Sequence, residues 1–259
     1  MTLVWLAELR LNAELSGPKD APPVILIQGL GLDLRLWEGL LPRLTRARVL
    51  RLDLRGHGLS DTPPAPYALG ALIRDVERLA DHFALREAVV VGQGEGGLIA
   101  QGLAVKRLDM VRALVLTGTA ARLGNPDLWA ARIARHRDHG PDLASECAAL
   151  LGPRFQGVPA TRAVRAMLES TRPEGWQGLA AAMATADLYQ TTATLTLPTL
   201  VLAGGEDRKV PPDMQRETAD LIAGAEFRLL PGAPHLAMLT DPERFAQALG
   251  GFLTRIGHD

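Results

Sequence analysis

The chain carries one cysteine, Cys147, among its 259 residues. It therefore forms no internal disulfide, is compatible with a reducing compartment, and has no cysteine-ligated metal site. A charge of one sign is also missing: 28 Lys and Arg stand against 29 Asp and Glu, a formal net charge of -1. That balance offers no electrostatic footprint for nucleic acid or an anionic membrane. No apolar run approaches the roughly 18 residues of a membrane-spanning helix. No basic segment followed by an apolar core opens the chain. The expectation is a soluble, cytoplasmic protein whose partner is a small-molecule substrate or ligand, with no nucleic-acid or membrane partner. Oligomeric state is not readable.

What the chain does have is a glycine-dense turn between an apolar run and helix-like sequence, Val89-Val90-Val91-Gly92-Gln93-Gly94-Glu95-Gly96-Gly97-Leu98-Ile99. Strand, sharp turn and helix is its plain reading, and two motifs fit it. Gly92-x-Gly94-x-x-Gly97 matches the fingerprint of dinucleotide-binding folds, whose backbone amides cradle a pyrophosphate. Gly92-x-Gly94-x-Gly96 matches a nucleophile elbow, G-x-S-x-G, with glycine where serine belongs. The first motif wants an acidic residue about 20 positions on, at the end of the next strand. That strand, from Val111, ends in Thr117-Gly118-Thr119 without an acid, and two or more strands precede the turn instead of none. The context favours the elbow.

The rest of the chain alternates in the same style. Thr2 to Leu15 reads as two antiparallel edge strands. Val24-Ile25-Leu26-Ile27 suits a central strand buried on both faces, which helices must cover. Gln28-Gly29-Leu30-Gly31 follows at its carboxyl end, where open α/β sheets place their ligands. Asp33 then reads as a helix cap. Arg48 to Leu54 is the next strand and runs into a glycine-rich turn in which His57 reads as a turn or surface histidine. Helical spacing covers Tyr67 to Leu85. From Ala120 to Thr194 the pattern is helices alone, over 127–137, 142–151, 160–170 and 174–187, which suggests a cap that encloses a pocket and selects its substrate. His136, Asp138 and His139 fall at one of these helix ends and read as a solvated polar face, not a metal site. Sheet pattern returns at Pro198 to Ala203, with a loop through Asp207, and at Glu226 to Leu230, with a loop reaching His235. A helix from Pro242 to Ile256 closes the chain.

Asp207 and His235 follow strand ends and come after the elbow in the order nucleophile, acid, histidine. With Asp53-Leu54-Arg55-Gly56-His57-Gly58-Leu59-Ser60 they make the chain resemble α/β-hydrolases. More narrowly, 117–121, 125–133, 172–176 and 186–188 resemble segments of 3-oxoadipate enol-lactonases. The resemblance implies an α/β-hydrolase fold: a mostly parallel eight-stranded sheet flanked by helices, with core 1–119 and 195–259 and a helical cap over 120–194. It also implies hydrolysis of a small enol-lactone or carboxylic ester without metal or organic cofactor. His235 and Asp207 would be catalytic, with position 94 as the nucleophile position. The amide of Glu95 and one from Gly29 or Leu30 would form an oxyanion hole, and Trp129 would bind substrate.

Two residues depart from that family. Gly94 supplies no nucleophile, and Glu95 replaces a residue that is usually apolar. Loss of the serine in a comparable triad costs roughly 10⁶ in turnover and leaves roughly 10³ to 10⁴ over water. An acyl-enzyme is therefore unavailable at position 94. Three chemistries stay open: hydrolysis by water that His235 and Asp207 activate, proton abstraction by the same dyad in a lyase, isomerase or cofactor-free oxygenase, and ligand binding without turnover. An introduced serine-to-glycine change would leave the same sequence. For Glu95 the expectation is that its amide, not its carboxylate, contributes to any chemistry, since a negative charge at a helix start is favoured by about 0.3–1 kcal/mol with no catalytic purpose.

Overall fold

The computed structural model describes residues 2–155 and 157–259. Its strands are β1 (Thr2–Leu6), β2 (Leu9–Ser16), β3 (Pro23–Ile27), β4 (Arg48–Leu52), β5 (Ala88–Gln93), β6 (Val111–Thr117), β7 (Thr199–Gly204) and β8 (Glu226–Leu230). They form one eight-stranded sheet in the order β1-β2-β4-β3-β5-β6-β7-β8. Only β2 runs against its neighbours; β4, β3, β5, β6, β7 and β8 are parallel. The glycine-rich turn thus leaves the sheet from a central strand, β5.

The helices are α1 (Leu69–His82), α2 (Glu95–Lys106), α3 (Pro126–His139), α4 (Leu143–Leu151), α5 (Pro159–Ser170), α6 (Pro173–Thr185), α7 (Tyr189–Thr192), α8 (Pro212–Leu221), α9 (Ala237–Thr240) and α10 (Pro242–Arg255). Strand side chains alternate between faces, so a strand covered on both sides must be apolar at every position. Ile25, Ile27, Val90, Leu114 and Leu116 share one core with Leu72, Val76 and Leu79 of α1 and Ile99 and Leu103 of α2. Leu26, Val89, Val91, Val115 and Leu202 share the other with Phe245, Leu249 and Phe252 of α10. Trp37 and Leu40, from a 3₁₀ segment over Leu34–Arg43, complete that second core. Asp33 caps the segment by accepting from the Arg35 amide.

Some boundaries differ from the periodicity. α1 is shorter than 67–85, because Ala68 is extended at its start and Ala84, at φ +53°, ends it. Between β6 and β7 the described residues form helices α3 to α7 and no strand. α3, α5 and α6 each begin with proline, whose missing N–H would be unpaired in a first turn anyway. The short α7 was not expected, since four residues carry no readable period.

Two histidines are placed differently from their sequence reading. His57 lies in the turn, as read, but is buried there with Nδ1 on the Arg55 carbonyl and is not a surface residue. His136 is buried and stacked on Trp176 of α6, ring centroids 4.2 Å apart, whereas Asp138 and His139 are exposed as expected. Among the described residues no helix is long and apolar enough to cross a membrane.

Candidate active site

The turn after β5 is shaped by four glycines with unequal duties. A Cβ on Gly92 would lie 2.6 Å from the Gly97 Cα, one on Gly96 2.5 Å from the Ile27 carbonyl oxygen, and one on Gly97 2.4 Å from Thr119. These three let α2 press onto the strands. Gly94 has φ +56° and ψ -125°, a conformation that L-residues rarely adopt. Yet a Cβ there would meet only the Gly29 Cα and His235 Nε2, each at 3.6 Å, which is ordinary contact. Position 94 is therefore open toward His235, and only its backbone is demanding.

Asp207 and His235 arrive from the loops after β7 and β8, at the carboxyl ends of parallel strands. His235 Nδ1 lies 2.9 Å from Asp207 Oδ2, and both side chains are fully buried. Asp207 is held by the Lys209 and Val210 amides, each at 2.9 Å, and by Gln215 Nε2 at 3.1 Å. Gln215 Oε1 also accepts from the Gly118 amide, which fixes the loop under the imidazole.

The proton on the imidazole follows from the partners. A carboxylate only accepts, so Nδ1 carries the hydrogen. Gln93 Oε1 accepts from the Gly29 amide at 2.9 Å, so its amide nitrogen must be the atom 2.8 Å from His235 Nε2. An amide nitrogen only donates, so Nε2 is the acceptor in this bond. The basic nitrogen faces the elbow with one hydrogen bond already made.

Glu95 turns its side chain into the pocket. Its side chain is buried, and Oε2 accepts from the Leu30 amide at 2.8 Å while Oε1 sits 3.4 Å from Lys209 Nζ. Burial is the largest influence on its pKa and pushes it up. Lys209, the Leu30 N–H, its own N–H and Arg132 outweigh that and hold it at about 2. A buried carboxylate needs a cation and donors, and the pocket side offers both, so the side chain turns inward rather than resting on the helix start. The Gly29 and Leu30 amides, one of which was expected beside the Glu95 amide as an oxyanion donor, are both engaged by side chains of the same chain.

A cavity of about 260 Å³ opens above these groups. Its floor is Gly94, Glu95, Gly118 and His235, and its apolar wall is Leu123, Leu128, Trp129, Val210 and Met214. Arg132 and Lys209 bring positive charge to the same space. Trp129 is buried, with its indole N–H on the Leu123 carbonyl and the Arg132 guanidinium 4.5 Å above its ring. Arg132 also pairs with Glu146 at 3.2 Å.

Residues 22–242 match the sequence profile of the alpha/beta hydrolase fold. The chain belongs to the α/β-hydrolase family. It is 27% identical over 253 residues to 3-oxoadipate enol-lactonase 2 of Acinetobacter baylyi, covering 96% of this chain and 94% of that one. An enol-lactonase from Burkholderia xenovorans superposes with a TM-score of 0.93 at 30% identity, covering 98% and 100% of the two chains. A hydrolase from Pseudomonas aeruginosa gives a TM-score of 0.93 at 34% identity, with 97% of each covered. The protein is thus an α/β-hydrolase resembling 3-oxoadipate enol-lactonases, with a function of hydrolase type.

In this α/β-hydrolase the structure brings His235, Asp207, Gly94, Glu95, Gly29 and Leu30 together, with Trp129 on the cavity wall. Gln93, Lys209, Arg132 and Gln215 also shape the site and were not singled out. Signals for three of them were present: Gln93 immediately precedes position 94, Lys209 follows Asp207 by two, and Arg132 shares the helix face of Trp129 at i+3. Gln215, inside α8, carries no comparable signal.

Proposed function

We propose that this α/β-hydrolase cleaves a small anionic carboxylic ester or enol-lactone by direct attack of water, with His235 as general base. The observation that carries this reading is His235, hydrogen-bonded to Asp207 through Nδ1, whose Nε2 faces the open side of position 94. A water oxygen at that position is within reach of both Nε2 and a substrate carbonyl above it. Once the Gln93 amide has let go of Nε2, whose single lone pair it holds at 2.8 Å, His235 takes the water proton as the hydroxide adds to the carbonyl carbon. The tetrahedral oxyanion collapses with cleavage of the C–O bond, and the imidazolium returns its proton to the leaving oxygen. For an enol-lactone the leaving group is an enol that rearranges to a ketone, which lightens the demand on a site without a nucleophile. The helices over 120–194 act here as a cap whose Trp129 and Arg132 help select the substrate.

Arg132 and Lys209, each already paired with a carboxylate of this chain, line the cavity and favour a substrate whose own carboxylate can enter those pairs. The enol-lactonase relative from Acinetobacter supports the same class. The reaction as written calls on no metal or organic cofactor. A second reading, proton abstraction from carbon by the same dyad, has in its favour that it needs no nucleophile at Gly94.

The deciding experiment sets the purified protein and His235→Ala against a panel of enol-lactones and small carboxylate-bearing esters. Steady turnover without an initial burst, lost in His235→Ala, is the expected result. Full activity in His235→Ala would remove the dyad from the mechanism. Deuterium uptake from solvent into unopened substrate would favour proton abstraction over hydrolysis.

A further inference from the structure

Oxyanion-hole amides work because they wait unpaired for charge that develops on the substrate. In this chain they do not wait. The Leu30 N–H is held by Glu95 Oε2 at 2.8 Å, and the Gly29 N–H by Gln93 Oε1 at 2.9 Å. Glu95 is anchored in turn by Lys209 Nζ at 3.4 Å, on the wall of the same cavity. The carboxylate therefore sits where a family member would place a substrate oxyanion, with a cation and an amide donor around it.

We infer that the Glu95 carboxylate is an internal anion occupying this protein's own oxyanion site, and that an external small carboxylate or oxyanion binds there by exchange with it. The inference rests on reading the 260 Å³ cavity as the substrate site. Lys209 decides the ligand class. A neutral ester offers nothing to replace the Glu95–Lys209 pair, whereas an incoming carboxylate takes over Lys209 and releases Glu95. Glu95 is thus a specificity-determining residue that excludes uncharged carbonyl compounds. It also makes position 94 only half of what separates this chain from a serine hydrolase. A serine in Gly94→Ser would find Nε2 within reach, but a tetrahedral oxyanion above position 94, whether made by water or by that serine, gains the Leu30 amide only after Glu95 has moved off it.

The test measures binding, so it does not depend on turnover. Acetate and methylphosphonate, a planar and a tetrahedral anion, are titrated calorimetrically into wild type, Glu95→Ala, Glu95→Gln and the double variant Glu95→Ala/Lys209→Met. Glu95→Ala is expected to bind at least about ten-fold more tightly than wild type, because the donor set stays and its resident anion is gone. Glu95→Gln should gain less, since its neutral amide oxygen still reaches the Leu30 N–H. The double variant should lose the gain. An unchanged affinity in folded Glu95→Ala overturns the inference, as does a gain that survives in the double variant. Should Glu95→Ala not fold, Glu95→Gln carries the measurement, and no gain there is equally fatal. A wild-type protein that hydrolyses nothing in the substrate panel would defeat the hydrolase reading yet leave a ten-fold gain in Glu95→Ala standing.

Discussion

The site has two halves that have fared differently. On one side, Asp207 and His235 are complete, and Gln215 and two loop amides hold the carboxylate as a triad acid needs to be held. On the other, the turn after β5 has the backbone of a nucleophile elbow, including the glycines that let α2 approach and the unusual φ at position 94, but it carries no side chain at Gly94 and a buried carboxylate at Glu95. The contrast separates two kinds of constraint. Close packing of helix on strand answers to the fold and tolerates no Cβ at Gly92, Gly96 or Gly97. Reactivity answers to single side chains, which can change while the packing stays.

The largest effect should come from the complete half. His235→Ala is expected to lower kcat by about 10²- to 10⁴-fold with little change in KM, and Asp207→Asn should follow it closely. Steady-state kinetics on a panel substrate checks this, and an Asp207→Asn protein of normal activity would mean that the complete half is complete in appearance only. Next comes a stability contrast within the other half. Gly96→Ala should cost about 3 kcal/mol or more, because its Cβ would collide with backbone oxygens of β3 and its following loop. Gly94→Ala should cost only about 1–2 kcal/mol of backbone strain. Urea unfolding of the two variants measures the difference, and equal losses would abolish the distinction between packing glycines and the reactive position.

Glu95 sharpens the comparison through pH. Burial opposes its ionisation, but Lys209 and the amides hold its folded pKa at about 2, below the ordinary carboxylate value. The folded state then binds fewer protons than the unfolded one across that interval, so the stabilisation is present above the ordinary value and fades as pH falls toward 2. Wild type should exceed Glu95→Gln by about 3 kcal/mol near neutrality, with the gap closing between about pH 5 and 2. Denaturation at several pH values reads it, and a gap independent of pH would mean that the charge is not what is held. The smallest effect is expected at the cavity wall. Arg132→Met should raise KM for a carboxylate-bearing substrate about ten-fold and leave kcat nearly unchanged.

The sheet was legible because its evidence is local. Runs such as Val24 to Ile27 declare burial on both faces, and glycines at fixed spacing declare the turn. Asp207 and His235 were legible because each follows a strand end in a recognisable order. The direction of the Glu95 side chain was not, because its partners come from the loop after β3 and the loop after β7, and its own helix start offers an equally reasonable resting place. His136 misled for the same reason: at the polar end of α3 it looks solvated, and only Trp176 from α6 explains why it is buried.

Gln93 couples these segments in a way that concerns motion. Its carboxamide works as a latch with one face on the Gly29 amide and the other on His235 Nε2. The latch closes only while that nitrogen is bare. Once His235 gains a proton, donor faces donor, and Gln93 must rotate or withdraw, which also releases the Gly29 amide. A single proton on the histidine is thereby converted into slack in the loop on the opposite side of β5.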